Sequence, residues 1–202
     1  ETIRTRFYVM ATGCLSVPKE PEVPGASRFG GGVYVTGRWP HDGVDFTGKR
    51  VAVIGTGSSG IQSIPLIAAQ ASQLTIFQRT PNFSVPAHNG PVSAERKALV
   101  AADTPGYRAA AKYSRGGIPG TPTEHSALLS SPELRRERFE AAWAKGELFE
   151  ILGVFNDIMV SPAANEIVAE MIREKIRSIV HDPATAELLC PKDHPFGTKR
   201  PC

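Results

Sequence analysis

The sequence predicts an α/β fold, and three observations in the stretch 49–92 predict it. The run Arg50-Val51-Ala52-Val53-Ile54 is apolar and β-branched and reads as a buried strand. It enters Gly55-Thr56-Gly57-Ser58-Ser59-Gly60, after which residues 61–71 read as a helix. A second apolar run, Leu74-Thr75-Ile76-Phe77, follows and ends on Gln78-Arg79-Thr80. Strand, G-x-G-x-x-G, helix and strand in that order describe a Rossmann-like βαβ unit that holds a dinucleotide.

The spacing has a mechanical reason. Gly55 permits a tight turn, Gly57 lets the backbone approach a pyrophosphate, and Gly60 lets helix and strand pack closely. The helix N-terminus then presents unbonded N–H groups and a positive dipole end to phosphate. Gly55, Thr56, Gly57, Ser58, Ser59, Gly60 and Gln62 are therefore the candidate cofactor-binding residues of this turn. An NAD unit places Asp or Glu at the end of the second strand, for the ribose 2′-hydroxyl. Here Arg79 stands there with the Thr80 hydroxyl beside it. A guanidinium fork matches a phosphate and a carboxylate repels one, so the site reads as NADP(H)-specific.

Before this unit, residues 6–11 read as an apolar strand ending in Ala11-Thr12-Gly13. Residues 14–48 are rich in Pro and Gly and read as an extended connector, with Val33-Tyr34-Val35-Thr36 a short strand before Trp39-Pro40. Residues 81–90, with Pro81, Pro86 and Gly90, read as a loop. From 93 to about 180 the pattern turns helical, over 93–102, 131–149 and 163–180. Ser131-Pro132 and Ser161-Pro162 each supply an N-cap with Pro at the first helical position. Residues 103–130 are interrupted by Gly and Pro and carry no assignment. Phe139, Trp143, Leu148 and Phe149 read as helix core, Trp39 equally as a packing anchor in the linker or a cofactor contact, and Asp193-His194 as loop.

Composition narrows the class. At 202 residues and 41% hydrophobic, the chain can bury a sizeable core. The net charge of +3 is spread without a basic run, which argues against a nucleic-acid partner. No apolar stretch approaches the roughly 20 residues that span a bilayer. The cysteines, Cys14, Cys190 and Cys202, are odd in number and unpatterned, which fits a reducing cytoplasm and no metal site. A start without Met and an end after Thr198-Lys199-Arg200-Pro201-Cys202 read as an internal piece of a longer protein.

Four segments together resemble the type I flavin-dependent Baeyer–Villiger monooxygenases. They are Ala11-Thr12-Gly13; Phe29-Gly30-Gly31-Gly32-Val33-Tyr34-Val35-Thr36-Gly37-Arg38-Trp39-Pro40; the turn Gly55 to Gly60 with Phe77-Gln78-Arg79-Thr80-Pro81; and Lys199-Arg200-Pro201. The second is similar to the family fingerprint F-x-G-x-x-x-H-x-x-x-W-P, with one departure: Val35 occupies the histidine position. A hydrophobe there makes no hydrogen bond, which puts the coupling of NADPH to flavin in question. The resemblance implies that NADPH reduces FAD and that one O₂-derived oxygen is inserted beside a ketone carbonyl, giving an ester or lactone. It implies Arg200 as the catalytic cation and Lys199 as a partner of Arg79 and Thr80 at the 2′-phosphate.

The implied fold is α/β: a Rossmann-like NADP-binding βαβ domain with a helical insertion, plus the edge of an FAD-binding domain. The expected division is the end of the FAD domain at 1–28 and the fingerprint linker at 29–48. The NADP unit follows at 49–92, the helical insertion at 93–182, and a return segment carrying Lys199 and Arg200 at 183–202. Implied partners are a ketone, O₂ and the rest of the same polypeptide. Two alternatives stay open: a flavin monooxygenase that oxidises nitrogen or sulfur, and a non-catalytic NADP-binding module.

Overall fold

The computed structural model describes residues 2–13, 17–19, 22–114, 117, 119 and 123–198. Its regular elements run β1 Arg50–Ile54, α1 Ser58–Ala68, β2 Gln73–Phe77, α2 Ala94–Ala102, α3 Thr104–Tyr113, α4 Pro132–Lys145, α5 Leu148–Leu152, α6 Pro162–Ile179 and α7 Pro183–Leu189. β1 and β2 pair as a small two-stranded sheet, joined through α1. A helical crossover between neighbouring strands makes them parallel. The chain divides into two compact units, one of residues 1–53 and 62–75, the other of 54–61 and 76–202.

In the first unit the chain is pinned by local hydrogen bonds. The Gln70 side-chain carbonyl accepts from Phe46 N at 3.1 Å, and its backbone carbonyl accepts from Gly48 N at 3.2 Å. Ser72 Oγ donates to Gly48 O at 2.9 Å. Trp39 packs on Phe46 with ring centroids 6.1 Å apart, and on Tyr34 at 5.9 Å, which is the packing role among its two expected ones. Two expected strands are absent. Residues 6–11 are irregular and exposed, and Val33 to Val35 is irregular and leads into a 3-10 turn over Thr36–Arg38. A strand needs a laddered neighbour for its N–H and C=O groups, and neither segment has one among the described residues. β1 is present as expected but not buried: Ile54 is 77% exposed.

The core of the second unit is helical. Phe83, Phe139, Ile151, Phe155, Ile158, Val168, Ile172 and Phe196 form one buried cluster. α6 contributes most to it because its apolar residues recur every three to four positions and so share a face. Serine caps fall where Ser-Pro signals them: Ser131 accepts from Leu134 N and Ser161 from Ala164 N. The stretch expected as one helix over 131–149 breaks into α4 and α5. Gly146 (φ 73) and Glu147 (φ 70) both adopt left-handed backbone there, and a helix does not continue through it. Phe139 is buried, Trp143 and Leu148 are half-buried, and Phe149 is 54% exposed, so the expected core there is correct only in part.

α3 occupies part of the unassigned 103–130, opened by Asp103, whose side chain accepts from Gly106 N. Beyond it, Asp157 organises the turn at 126–128. It accepts from Ser126 Oγ at 2.6 Å, Ala127 N at 2.8 Å and Leu128 N at 3.2 Å. Burial alone would raise its carboxyl, but these donors outweigh burial and hold it below the usual carboxylate range.

Candidate functional site

The glycine turn lies in the second unit and is built by backbone conformation. Gly55 sits at φ +97, a region that disfavours any Cβ. Its N–H donates to Phe77 O at 2.9 Å, which carries the β1–β2 ladder into the turn. A Cβ on Gly60 would stand 2.5 Å from Gly55 O, so this position admits only glycine without a backbone shift. A Cβ on Gly57 would meet nothing within 4 Å. The protein's own packing therefore makes no demand on Gly57, and open space lies over that part of the turn. Ile61 N donates to Gly57 O at 2.9 Å and closes the first helical bond of α1.

The described residues place Ser58 and Gly60 half-buried and Ser59 exposed at the start of α1. Gln62, expected with them, follows on α1 and is exposed. Thr56 is half-buried, and its Oγ1 donates to Gln78 Oε1 at 3.1 Å. The Gln78 amide then donates through Nε2 to Leu188 O at the end of α7, 2.9 Å away. Arg79 follows, exposed and in no ion pair among the described residues. Thr80 is half-buried. Lys199 and Arg200 lie outside the described residues.

Two features escaped the sequence reading. α7 was one, although Asp182-Pro183 repeats the cap-then-proline signal that marks α4 and α6: the Asp182 carboxylate accepts from Thr185 N at 2.8 Å. The other was the employment of Gln78, whose partner on α7 lies 110 positions further along the chain.

The return segment is tied to α6 by buried polar side chains. Asn165, 5% exposed, donates to Ile158 O at 2.9 Å and Phe196 O at 2.8 Å, and accepts from Phe196 N at 2.9 Å. Arg173, 6% exposed, donates to Pro191 O at 3.1 Å and pairs with Glu170 at 2.7 Å and with Glu166. Arg177 bridges Glu170 and Glu187 at 2.7 and 2.6 Å, and Lys192 holds the other Glu187 oxygen at 2.7 Å. Arg177 and Lys192 together hold the Glu187 carboxyl down to about 2. Asn165, Glu166, Glu170, Arg173, Arg177 and Lys192 border a cavity of about 530 Å³ that also touches His194. Each of its cations already faces a carboxylate, so it presents no surplus positive charge to an anion. Asp193-His194 lies in irregular chain, as expected.

No family model matches the chain. Individual proteins do, and the relatives matched are first of all monooxygenases. A solved structure, OTEMO in complex with FAD and NADP, superposes with a TM-score of 0.87 at 38% identity, covering 94% of this chain and 37% of that one. More particularly, the relatives include Baeyer–Villiger monooxygenases. One, the Baeyer–Villiger monooxygenase of Pseudooceanicola batsensis, is 39% identical over 100% of this chain and 36% of its own length. The phenazine N-monooxygenase of Lysobacter antibioticus is 41% identical over 100% of this chain and 37% of its own. The chain thus spans little more than a third of the curated relatives it matches.

Proposed function

We propose that this chain is the NADP-binding segment of an NADPH- and FAD-dependent Baeyer–Villiger monooxygenase, which inserts one O₂-derived oxygen beside a ketone carbonyl to give an ester or lactone. The observation that carries the proposal is similarity to such an enzyme along the whole chain, 39% identical over 205 aligned residues. In this reading β1, α1 and β2 are the first βαβ crossover of a Rossmann-type domain. The helices from α2 to α6 are its insertion, and 183–202 is its return.

The residues present fit a dinucleotide. A left-handed Gly55, a Gly60 that admits no side chain and open space at Gly57 are what backbone contact with a pyrophosphate requires. Gly55, Thr56, Gly57, Ser58, Ser59, Gly60 and Gln62 would hold the cofactor along the turn and the first part of α1. Arg79, Thr80 and Lys199 would hold the 2′-phosphate, the guanidinium by paired charge-assisted hydrogen bonds. Arg200 would supply a fixed cation where negative oxygen develops in a water-poor site. The flavin, when bound, supplies the oxygen activation; orientation and charge are the protein's part. None of the described residues is assigned to FAD. A free, buried Cys190 suits a reducing, cytoplasmic setting.

A second reading has one observation behind it. The N-oxygenating relative is as similar as the ketone-oxidising ones, so oxidation of a ring nitrogen is the competing reaction. The full-length protein, purified with FAD and given NADPH, O₂ and a panel of ketones, N-heterocycles and sulfides, separates them. Esters or lactones are the expected products. N-oxides alone would transfer the protein to the second reading, and the absence of any oxygenated product with NADPH left unconsumed would overturn both.

A further inference from the structure

Gln78 is given no cofactor contact above, yet both ends of its amide are engaged, and in opposite directions. Its Oε1 accepts from Thr56 in the glycine turn, and its Nε2 donates to Leu188 O at the end of α7. We propose that Gln78 is a positioning residue, which ties the glycine turn to α7 and so aims the turn's backbone N–H groups at the dinucleotide pyrophosphate. The inference rests on the NADP(H) reading and adds to it a residue that touches no part of the cofactor.

The turn needs such a tether. Gly55 and Gly57 leave its backbone with wide conformational freedom, and no packing around Gly57 restricts it. Its ends are held by Gly55 N to Phe77 O and Ile61 N to Gly57 O, while its middle is held through Thr56. Because Thr56 spends its proton on Gln78, its hydroxyl is not a donor toward the cofactor, and the direction of the backbone N–H groups beside it depends on how the turn is fixed. The far end of the tether is itself anchored, since α7 carries Glu187, which pairs with Arg177 of α6. Gln78 is adjacent to Arg79, but its amide is spent on the turn and α7, so it leaves cofactor discrimination to its neighbour.

Titration of the full-length protein with NADP⁺ and NAD⁺ by calorimetry tests this. Gln78→Leu should weaken both by about tenfold, the worth of two modest hydrogen bonds, with the preference between them unchanged. The pyrophosphate is common to both cofactors, so a loss confined to NADP⁺, or no loss at all, would overturn the proposal. Combining Gln78→Leu with Thr56→Val should lose no more than the worse single variant, and additive losses would also overturn it. Should Gln78→Leu fail to fold, Gln78→Met decides: it keeps the side chain's length and drops both hydrogen bonds, so both cofactors should weaken together, and normal binding overturns the tether. Arg79→Ala in the same titration guards the underlying reading. If it loses NADP⁺ selectively while Gln78→Leu is silent, the tether alone is wrong; if it loses neither or both equally, the NADP(H) assignment is wrong.

Discussion

At residue 79 a guanidinium stands where a carboxylate would select NAD, and the structure leaves it exposed at the end of β2. Removing one charge-assisted pair with a phosphate costs roughly 1.5–3 kcal/mol. Arg79→Ala is therefore expected to weaken NADPH binding by about tenfold to a hundredfold and NADH binding by far less, as read from the KM for each in the full-length enzyme. Equal changes would remove the 2′-phosphate from this residue. Arg79 could be singled out in the sequence because its candidacy follows from position alone, two residues past the end of β2. The glycines were legible for the same reason, and Gly60 answers to a contact with Gly55 inside the same motif. Gln78 was not, because its meaning depends on a carbonyl 110 positions away that no local pattern announces.

At the scale of elements, capping chemistry made the helices readable: Ser93, Ser131 and Ser161 each cap the helix expected to follow. What failed was continuity, since Gly146 ends α4 and Glu147 enters left-handed backbone before α5. The turn at 126–128 was equally invisible, being organised by Asp157 from 29 to 31 positions away. That carboxylate is the place to test the second unit by pH. Its folded pKa is depressed, so its stabilisation is present above the ordinary carboxylate value of about 4 and is lost as pH falls through the lower folded value. Asp157→Asn should lose one acceptor and the charge, costing about 1–2 kcal/mol at pH 7 in urea unfolding. It should also flatten the acid limb of the stability profile below about pH 4. A variant that keeps the wild-type acid limb would assign that limb to other carboxylates.

Across the whole molecule, burial is unevenly distributed. Phe7, Tyr8, Val9 and Met10 are each at least 69% exposed, and Ile54 of β1 and Phe77 of β2 are 77% and 56% exposed. The α4–α6 core, by contrast, holds Phe139, Ile151, Phe155 and Ile172 at 2% or less. The pattern at 50–54 was therefore read correctly as a strand and wrongly as buried, and that at 6–11 correctly as apolar and wrongly as a strand. Sequence reports which surfaces call for cover; among the described residues 6–11 is exposed throughout, and β1 is covered only in part, at Val51 and Val53. Local stability follows local burial, which gives a measurable consequence. In the isolated chain, amide hydrogen exchange should be slowest within α4 and α6 and fast, near the unprotected rate, over residues 2–13 and 22–35. β1 and β2 should fall between, since only one pairing protects them. In the full-length protein exchange at 50–54 and 73–77 should slow by at least about tenfold, as each added burial or ladder bond raises the opening free energy by about a kcal/mol or more. Unchanged exchange there would mean that these strands remain open edges in the full-length protein, and that the sheet is no larger than the pair described.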